Sequence, residues 1–234
     1  MIELKNVSTF YGGTVKAVNS ISLQVSDGEI FGLFGPNGAG KTTTIKMMTG
    51  ILVPTSGDIS VNGVSIKEES AEVKRMIGFV PDAPNMFLSL KGIEYLNFMA
   101  DMYDVSLCDR KERIEVLSKR LEMSSVLRDP IQSYSHGMRK KIEIIGVLVH
   151  NPSVWIMDEP MTGLDPRSSY LITEMMREHV NDQKTVFIST QSLDVAEKIC
   201  DRVAIIHNGQ IVFCGNIDEL KEHFQKQEAR NSVS

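Results

Sequence analysis

The amino-acid sequence predicts an α/β fold with a mixed β-sheet, an antiparallel β part near its N-terminus and an inserted α-helical subdomain. After residue 150, short apolar runs alternate with helical segments, and crossover helices of this kind connect parallel strands. Residues 2–7 and 21–25 instead alternate apolar and polar side chains, which is the pattern of half-buried strands. Between Leu88 and His150 apolar residues recur at helical spacing, with no convincing strand.

Local signals place the elements of the N-terminal part in order. Residues 30–34 form an apolar run that predicts a buried strand, and residues 43–48 predict a helix that Gly50 ends. The other predicted elements of this part are a turn at Tyr11-Gly12-Gly13, a turn at 54–58, a strand at 59–61, a hairpin turn at Asn62-Gly63, and a strand at 76–80 stopped by Pro81.

Helices and strands alternate in the C-terminal part. The predicted strands are 154–157, 185–189, 202–207 and 210–214, and the predicted helices are 166–181, 193–200 and 217–225. The predicted domains are an α/β core of residues 1–84 and 151–220, a helical subdomain of residues 85–150, and an end segment of residues 221–234. We expect the polar stretch 227–234 to be disordered.

The composition is that of an ordinary globular protein. Of the 234 residues, 42% are hydrophobic and 24% are charged, and the net charge is −5 without a long basic block. We therefore expect no dominant nucleic-acid-binding surface and no nucleic-acid partner. Cys108, Cys200 and Cys214 lack metal-ligand spacing, which favours buried free thiols in a reducing cytoplasm. No secretion signal is recognisable and no apolar run approaches the roughly 18 residues of a membrane span. We expect that the chain does not span a membrane by itself.

Residues 35–42 match the phosphate-binding loop pattern G-x-x-x-x-G-K-[ST] at every fixed position. Its glycines let backbone N–H groups approach phosphate oxygens, and the following helix directs its positive end at the same place. Lys41 adds a charge that reaches the β- and γ-phosphates, and Thr42 offers a hydroxyl ligand to Mg²⁺. The alternative is a glycine turn with an incidental lysine. The predicted nucleotide-binding residues here are Gly35, Pro36, Asn37, Gly38, Ala39, Gly40, Lys41, Thr42 and Thr43.

Two acids, Asp158 and Glu159, follow the predicted strand at 154–157. Open α/β sheets bind ligands at the carboxyl ends of their strands. Asp158 suits Mg²⁺ coordination beside Thr42, and Glu159 is then placed to polarise a water that attacks the γ-phosphate. The alternative is that both acids are merely solvated at the end of a strand.

The order of these motifs resembles that of the ATP-binding subunits of ABC transporters, over the chain up to about residue 220. That family carries a signature sequence, commonly Leu-Ser-Gly-Gly-Gln, shortly before the strand that bears the acids. Here the matching stretch, residues 134–138, reads Tyr-Ser-His-Gly-Met. Ser135 and Gly137 keep the two positions that contact the γ-phosphate, whereas His136 and Met138 depart from the commonest form. Alone, this stretch would indicate an ordinary helix cap.

The resemblance implies an ATPase with a P-loop NTPase core that uses ATP and Mg²⁺. Two subunits, identical or related, would pack head to tail, with ATP between the phosphate loop of one and Ser135 and Gly137 of the other. ATP would hold the pair together and hydrolysis would release it. The resemblance also assigns Tyr11 to stacking on adenine and residues 163–165 to contact with the second subunit. Asp165 can in addition cap the following helix.

Two residues depart from the family pattern near the phosphates. Asp82 stands where the family has glutamine, and its carboxylate can coordinate Mg²⁺ directly or through water. Gln191 stands where the family has histidine, and an amide can donate a hydrogen bond but cannot carry a positive charge. We therefore expect slowed hydrolysis with ATP binding retained. The cations at 139–141 follow the signature in the first helical turn, where they would act on a phosphate by direct charge attraction or not at all.

The resemblance further implies an integral membrane partner, which would hold the chain at the inner face of the cell membrane. The apolar segment 84–90 is either a surface for that partner or packing between subdomains. The chain length and signature look most like separate-chain ATPases of export systems. A soluble ABC ATPase acting on ribosomes or DNA is the alternative, although such proteins usually carry tandem domains or long coiled coils. A small-molecule kinase is less consistent with the signature and with Glu159.

Overall fold

The structure is a computed structural model that describes residues 1–11, 15–83, 87–222 and 225. Ten strands and seven α-helices have defined bounds in the described residues. The strands are β1 (Ile2–Tyr11), β2 (Val15–Val25), β3 (Ile30–Phe34), β4 (Ser56–Val61), β5 (Val64–Ser65), β6 (Ile77–Val80), β7 (Val154–Asp158), β8 (Thr185–Thr190), β9 (Arg202–His207) and β10 (Gln210–Asn216). The helices are α1 (Lys41–Met48), α2 (Ser70–Met76), α3 (Gly92–Met102), α4 (Leu107–Arg120), α5 (His136–Leu148), α6 (Pro166–Asn181) and α7 (Leu193–Ile199). Residues 217–222 are also helical.

The central sheet has six strands in the order β10-β9-β3-β8-β7-β6. Strands β9, β3, β8, β7 and β6 are parallel, and β10 pairs antiparallel with β9 at one edge. Strand β8 is buried along its whole length and β7 likewise, as expected for parallel strands that helices cover on both faces. The carboxyl ends of β3, β7 and β8 therefore lie side by side at one edge, where the site is built.

A second sheet of four antiparallel strands has the order β2-β1-β4-β5. Its two long strands extend well beyond the predicted 2–7 and 21–25. Register shifts interrupt the pairing of β1 with β2, and Asn6 and Ser20 have positive φ angles of 49° and 53°. Such irregularities break the alternation of apolar and polar side chains, which explains why the sequence pattern indicated shorter strands.

Two apolar clusters fill the layers on either side of the central sheet. One packs α1 and the antiparallel sheet against one face, through residues such as Ile45, Phe31 and Ile156. The other packs α3, α5, α6 and α7 against the opposite face, around Trp155 and Ile188. Because side chains alternate along each strand, the same five parallel strands supply both clusters and fix the helices of the two faces relative to one another.

The described residues from 87 to 150 contain α3, α4, a short 3₁₀ turn at Ile131–Ser133 and α5, with one isolated bridge between Lys91 and Pro130. This matches the predicted helical character of 88–150. The proposed boundaries of the core and of the helical subdomain remain a prediction.

Several predicted element bounds were wrong by a few residues, and one helix was missed. The strand predicted at 76–80 begins at Ile77, because Met76 ends α2, a helix that the sequence interpretation did not include. Strand β4 begins at Ser56, inside the predicted turn at 54–58, because it pairs with β1 from Ser8 onward. Residues 12–14, in the predicted turn after Tyr11, and the predicted disordered end, 227–234, lie outside the described residues. Cys200 is buried as predicted, but the prediction was wrong for Cys108, in the first turn of α4, and for Cys214, on the edge strand β10, which are both exposed.

Candidate functional site

The phosphate loop lies between the end of β3 and the start of α1 and is supported by other parts of the chain. Its first amide, that of Gly35, donates to Thr190 O at 3.2 Å, and the amide of Gly209 donates to Ala39 O at 2.9 Å. A Cβ on Gly35 would meet the carbonyl of Ile206. A Cβ on Gly40 would lie 2.6 Å from the carbonyl of Ala17.

Gly40 precedes α1 with φ 113° and provides no side-chain cap to the helix. A φ of that size is accessible to glycine and strains other residues. The first N–H groups of a helix have no partner within the helix, and here the cap residue does not supply one. The loop therefore presents the positive end of α1 to the space above it, which is the arrangement that favours an anion.

Lys41 is 6% exposed, and its ammonium group turns back onto the loop. Nζ donates to Gly35 O at 2.7 Å and to Pro36 O at 3.2 Å, and it lies 3.7 Å from Oε1 of Glu159. A buried ammonium needs such partners. The loop thus holds this cation in place with its own carbonyls, at the head of α1.

Asp158 ends β7 and is 3% exposed. Its Oδ2 accepts a hydrogen bond of 2.7 Å from Oγ1 of Thr42, and its Oδ1 accepts one from Oγ of Ser189, on β8. The two hydroxyls hold the carboxylate in one orientation next to the first turn of α1. The structure therefore brings Thr42 and Asp158 together as predicted from the sequence.

Glu159 follows directly and adopts a positive φ of 47°, a conformation that is uncommon outside glycine and asparagine. Its amide donates to Ser189 O at 3.1 Å. Burial raises the pKa of the Glu159 carboxyl, while the ammonium of Lys41 and a backbone hydrogen bond from Gln191 lower it. Its Oε1 is buried without a hydrogen-bond partner in the described part of the chain. The turn at Glu159 thus directs a carboxyl of raised pKa toward the loop.

These groups line a single cavity of about 490 Å³ at the carboxyl edge of the central sheet. The cavity is lined by Lys16, Ala17, Asn37, Gly38, Gly40, Lys41, Thr42, Thr43, Asp82, Asp158, Glu159 and Gln191. Asp82 and Gln191, which were predicted from the resemblance, are both exposed in it. Lys16 and Ala17, on β2, were missed, because no motif in the sequence marks that strand. The side chain of Tyr11, predicted to stack on adenine, lies outside the described residues.

Ser135 and Gly137 do not line this cavity. Ser135 is the N-cap of α5, where its hydroxyl accepts from the amide of Met138 at 3.3 Å. A Cβ on Gly137 would lie 3.1 Å from the carbonyl of Gly163, so the start of α5 and the loop at 163–165 pack closely. Ser135 therefore caps α5, and it is also exposed at the N-terminus of that helix.

Asp165 is the N-cap of α6, as the sequence predicted, and it accepts from the amide of Ser168 at 3.0 Å. Hydrogen bonds from Ser168 lower the pKa of its carboxyl to about 2. Asp165 is exposed and does not line the cavity; it lies two residues after Gly163, which packs against the start of α5. It therefore stays ionised over the physiological pH range.

Lys140 is a buried cation whose position the sequence did not reveal. It is fully buried, and its Nζ donates to the carbonyls of Pro81 at 2.9 Å, Asp158 at 3.2 Å and Asp82 at 3.4 Å. The sequence left open whether the cations at 139–141 attract a phosphate directly or not at all; in the structure Nζ of Lys140 is engaged by main-chain carbonyls. Lys140 faces the protein interior from α5, and its hydrogen bonds link the carboxyl ends of β6 and β7.

The residues present fit Mg²⁺. The oxygens of Thr42 and Asp158 lie 2.7 Å apart in the cavity, with the carboxylate of Asp82 also in its lining. Mg²⁺ prefers oxygen ligands and binds through one or two protein groups together with phosphates and water. No group of three or more His, Cys, Asp or Glu side chains that could hold a metal by themselves occurs among the described residues.

The sheet order, the loop before α1 and the acids after β7 together define a P-loop nucleotide-binding protein. The family model of ABC transporters matches residues 18–162. NatA, an ABC transporter ATP-binding protein of Bacillus subtilis, is 35% identical over 209 residues, which are 89% of this chain and 85% of NatA. Nod factor export ATP-binding protein I of Cupriavidus metallidurans is 32% identical over 220 residues, or 94% of this chain and 72% of that protein.

A solved structure of the ATP-binding subunit of an ABC transporter superposes with a TM-score of 0.91 at 30% identity, covering 96% of this chain and 93% of that one. The chain therefore belongs to the ABC transporter ATP-binding family, which confirms the predicted family and fold class. Proteins of this family bind ATP and hydrolyse it as parts of transporters. In the described part of this chain, no helix combines the length and the apolar character that crossing a bilayer requires.

Proposed function

We propose that the chain is the MgATP-binding and hydrolysing subunit of an ABC transporter that exports its cargo. One observation carries the proposal: the phosphate loop, the hydroxyl–carboxylate pair of Thr42 and Asp158, Glu159 and Gln191 all line the same cavity. That cavity thus combines a loop suited to phosphates, oxygens suited to Mg²⁺ and a carboxyl that can act as the base for an attacking water.

Binding uses the loop amides and Lys41. In the structure the ammonium of Lys41 donates to Gly35 O and Pro36 O. The charged oxygens of a bound β- or γ-phosphate would replace these neutral carbonyl acceptors or share the ammonium with them. Charge-assisted hydrogen bonds are the stronger kind. Thr42 and Asp158, with Asp82 nearby, would hold Mg²⁺, which neutralises developing charge on the phosphates when bound.

Hydrolysis depends on Glu159. Its carboxyl faces the loop next to Lys41, and the base must be ionised to accept hydrogen bonds from the attacking water. Burial raises its pKa while Lys41 and the amide of Gln191 oppose the shift. The amide side chain of Gln191 would bond the γ-phosphate without adding a positive charge, so we expect the turnover to be slower than with histidine at that position.

A second copy, or a related subunit, would complete the site. Ser135 and Gly137 do not line the cavity of their own chain, yet Ser135 is exposed at the N-terminus of α5, which is suited to an anion. Packed head to tail, the second subunit would present these residues to the γ-phosphate, with Asp165 beside them. ATP then favours the closed pair because it binds only that state well.

A membrane partner would respond to the closing and opening of the pair of subunits. Binding to that partner would hold the chain at the inner face of the membrane. The word export in the name of the Nod factor protein, 32% identical to this chain, supports the direction. Residues 84–86 of the apolar segment lie outside the described residues. Phe87 packs against Tyr95 and Phe98, with ring centroids 5.6 and 5.2 Å apart, which favours packing for that side chain.

Replacing Glu159 by glutamine tests the proposal. We expect ATP hydrolysis to fall by at least ~100-fold, since a positioned base contributes about that much, while equilibrium binding of ATP stays within about twofold. Light scattering should show the variant dimerising when MgATP is added. Glu174→Gln, an exposed glutamate on α6, serves as the matched control. Glu159→Gln turning over at the wild-type rate would overturn the assignment of the base.

A further inference from the structure

The cavity that holds the phosphate loop has a second ammonium group, which belongs to none of the motifs described above. Lys16, on β2, lines this cavity together with Lys41. Lys41 is buried, and its Nζ donates to two carbonyls of the loop. Lys16 is exposed instead. In the described part of the chain its ammonium contacts the ring of Phe10, whose centroid lies 5.6 Å from Nζ.

Strand β2 fixes the position of Lys16 beside the loop. Phe10 of β1 and Lys16 of β2 are cross-strand partners, so their side chains lie on one face of the sheet. The next residue, Ala17, abuts the loop itself. A Cβ on Gly40 would lie 2.6 Å from Ala17 O, and a Cβ on Gly209 would lie 2.9 Å from the same oxygen. Lys16 is therefore anchored one residue away from the point where β2 meets the last glycine of the loop.

The charges of the cavity leave the ammonium of Lys16 available to a ligand. The lining contains three carboxyls, those of Asp82, Asp158 and Glu159, and two ammonium groups. The ammonium of Lys41 already has acceptors within the loop and lies 3.7 Å from Oε1 of Glu159. Lys16 makes no salt bridge with any residue that the structure describes. A polyanion that enters this cavity therefore meets one cation that no protein carboxylate neutralises.

The acids and Lys16 approach the loop from different sheets. Asp158 ends β7 in the central six-stranded sheet and Glu159 follows it, whereas β2 belongs to the four-stranded sheet. The charged side chains that shift the pKa of Glu159 are those of Lys41, Asp158 and Asp82, and Lys16 is not among them. If Glu159 acts at the γ-phosphate, the ammonium of Lys16 is left for the phosphate that lies farthest from the reaction.

We propose that Lys16 binds the α-phosphate of the nucleotide and thereby contributes to the affinity for ADP and ATP alike. The inference rests on the proposed function, since it adds a residue to that nucleotide site. The α-phosphate does not change during hydrolysis of the γ-phosphate. A contact with it stabilises the bound substrate and the transition state equally, and such uniform binding lowers KM without raising kcat.

Equilibrium binding of MgADP, measured by titration calorimetry, tests the proposal. We expect about tenfold weaker binding for Lys16→Gln, because a hydrogen bond between charged groups is lost. Lys16→Arg keeps the charge and should bind within about threefold of the wild type. Lys119→Gln makes the same change of net charge at an exposed position of α4 and should bind like the wild type. Wild-type affinity in Lys16→Gln, or equal losses in Lys16→Gln and Lys16→Arg, overturns the proposal.

Two further measurements locate the contact on the nucleotide. The titration is repeated with MgATP in the Glu159→Gln background, which keeps the nucleotide intact, and the loss caused by Lys16→Gln should match the loss for ADP. A loss confined to ATP assigns Lys16 to the γ-phosphate and overturns the proposal. In phosphorus NMR of bound ADP, Lys16→Gln should shift the α-phosphate resonance. A shift confined to the β-phosphate resonance contradicts the assignment.

The ionic strength shows whether charge carries the effect. Added salt should weaken ADP binding by the wild type more steeply than binding by Lys16→Gln, because the variant lacks a screened charge pair. Parallel slopes contradict a contact with phosphate.

The same data separate this proposal from the function on which it rests. A wild-type chain that binds neither ADP nor ATP refutes nucleotide binding itself. A wild-type chain that binds both, with Lys16→Gln unchanged, refutes only the role of Lys16. In steady-state hydrolysis, Lys16→Gln should raise KM about tenfold and change kcat less than about twofold. A lower kcat at unchanged KM contradicts a contact with the unreactive phosphate.

Discussion

Lys140→Met should destabilise the protein although the residue touches no predicted ligand. Lys140 is fully buried and donates to three carbonyls, two of them within 3.2 Å. Hydrogen bonds from a charged group contribute about 1.5–3 kcal/mol each, so the two shorter bonds contribute roughly 3–6 kcal/mol together. Removing the buried charge recovers part of this, because burial disfavours the ammonium and lowers its pKa. We expect a net loss of about 3 kcal/mol.

Urea unfolding at pH 7 measures this loss. For a chain of this size the slope is about 3 kcal/mol per M, so the midpoint should fall by about 1 M in Lys140→Met. Lys119→Met, at an exposed position of α4, should change the free energy of unfolding by less than ~0.5 kcal/mol. A Lys140→Met midpoint within about 0.2 M of the wild type would refute the reasoning, since the three carbonyls would then be satisfied equally well without the ammonium.

Three further predictions concern other parts of the chain. Gln191→His should raise steady-state ATP hydrolysis by about tenfold or more, because it adds a group that can carry charge at the γ-phosphate; unchanged turnover contradicts this. Burial raises the pKa of the Glu143 carboxyl to about 7 in the folded chain, against an ordinary value of 4.5. Between pH 4.5 and 7 the folded chain therefore holds a proton that the unfolded chain releases. The free energy of unfolding falls by roughly 3 kcal/mol as the pH rises through that range. Glu143→Gln should remove this loss, seen as a flatter dependence of the urea midpoint on pH between 5 and 8. Gly78→Ala should cost about 1–3 kcal/mol, because its Cβ would meet Val147 and lie 2.8 Å from Cγ of Pro152; thermal unfolding equal to that of the wild type excludes this clash.

The phosphate loop and the acids after β7 were predictable because their chemistry demands particular residues at fixed spacing. The fold class followed from them and from the alternation of strands and helices. Lengths of strands were less predictable, since β1 and β2 contain register shifts that hide the apolar–polar alternation. Helix α2 was missed because Ser70–Met76 is short, with Val73 its buried residue, so it carries no helical apolar stripe to detect.

Lys140 and Glu143 show what a local pattern cannot reveal. Both lie in a polar-looking run after the signature, where charged residues are usually solvated. The structure turns both inward from α5, because that helix packs against β6 and α3 over most of its circumference. The partners of Lys140, the carbonyls of Pro81, Asp82 and Asp158, are 18 to 59 residues away in the sequence. Burial of a charge therefore depended on tertiary packing that no periodicity encodes.

The contacts that shape the phosphate loop have a consequence for shortened versions of the chain. The family model spans 18–162, and that segment contains the loop, the signature and both acids. The carbonyls and amide that fit around the loop belong to Ala17, Thr190, Ile206 and Gly209, which all lie outside it. A fragment bounded by the family match would thus keep the phosphate loop, the signature and both acids and lose the walls that give the loop its shape. In this protein, the segment whose sequence identifies an ATPase is therefore shorter than the segment that must fold to form its phosphate-binding loop.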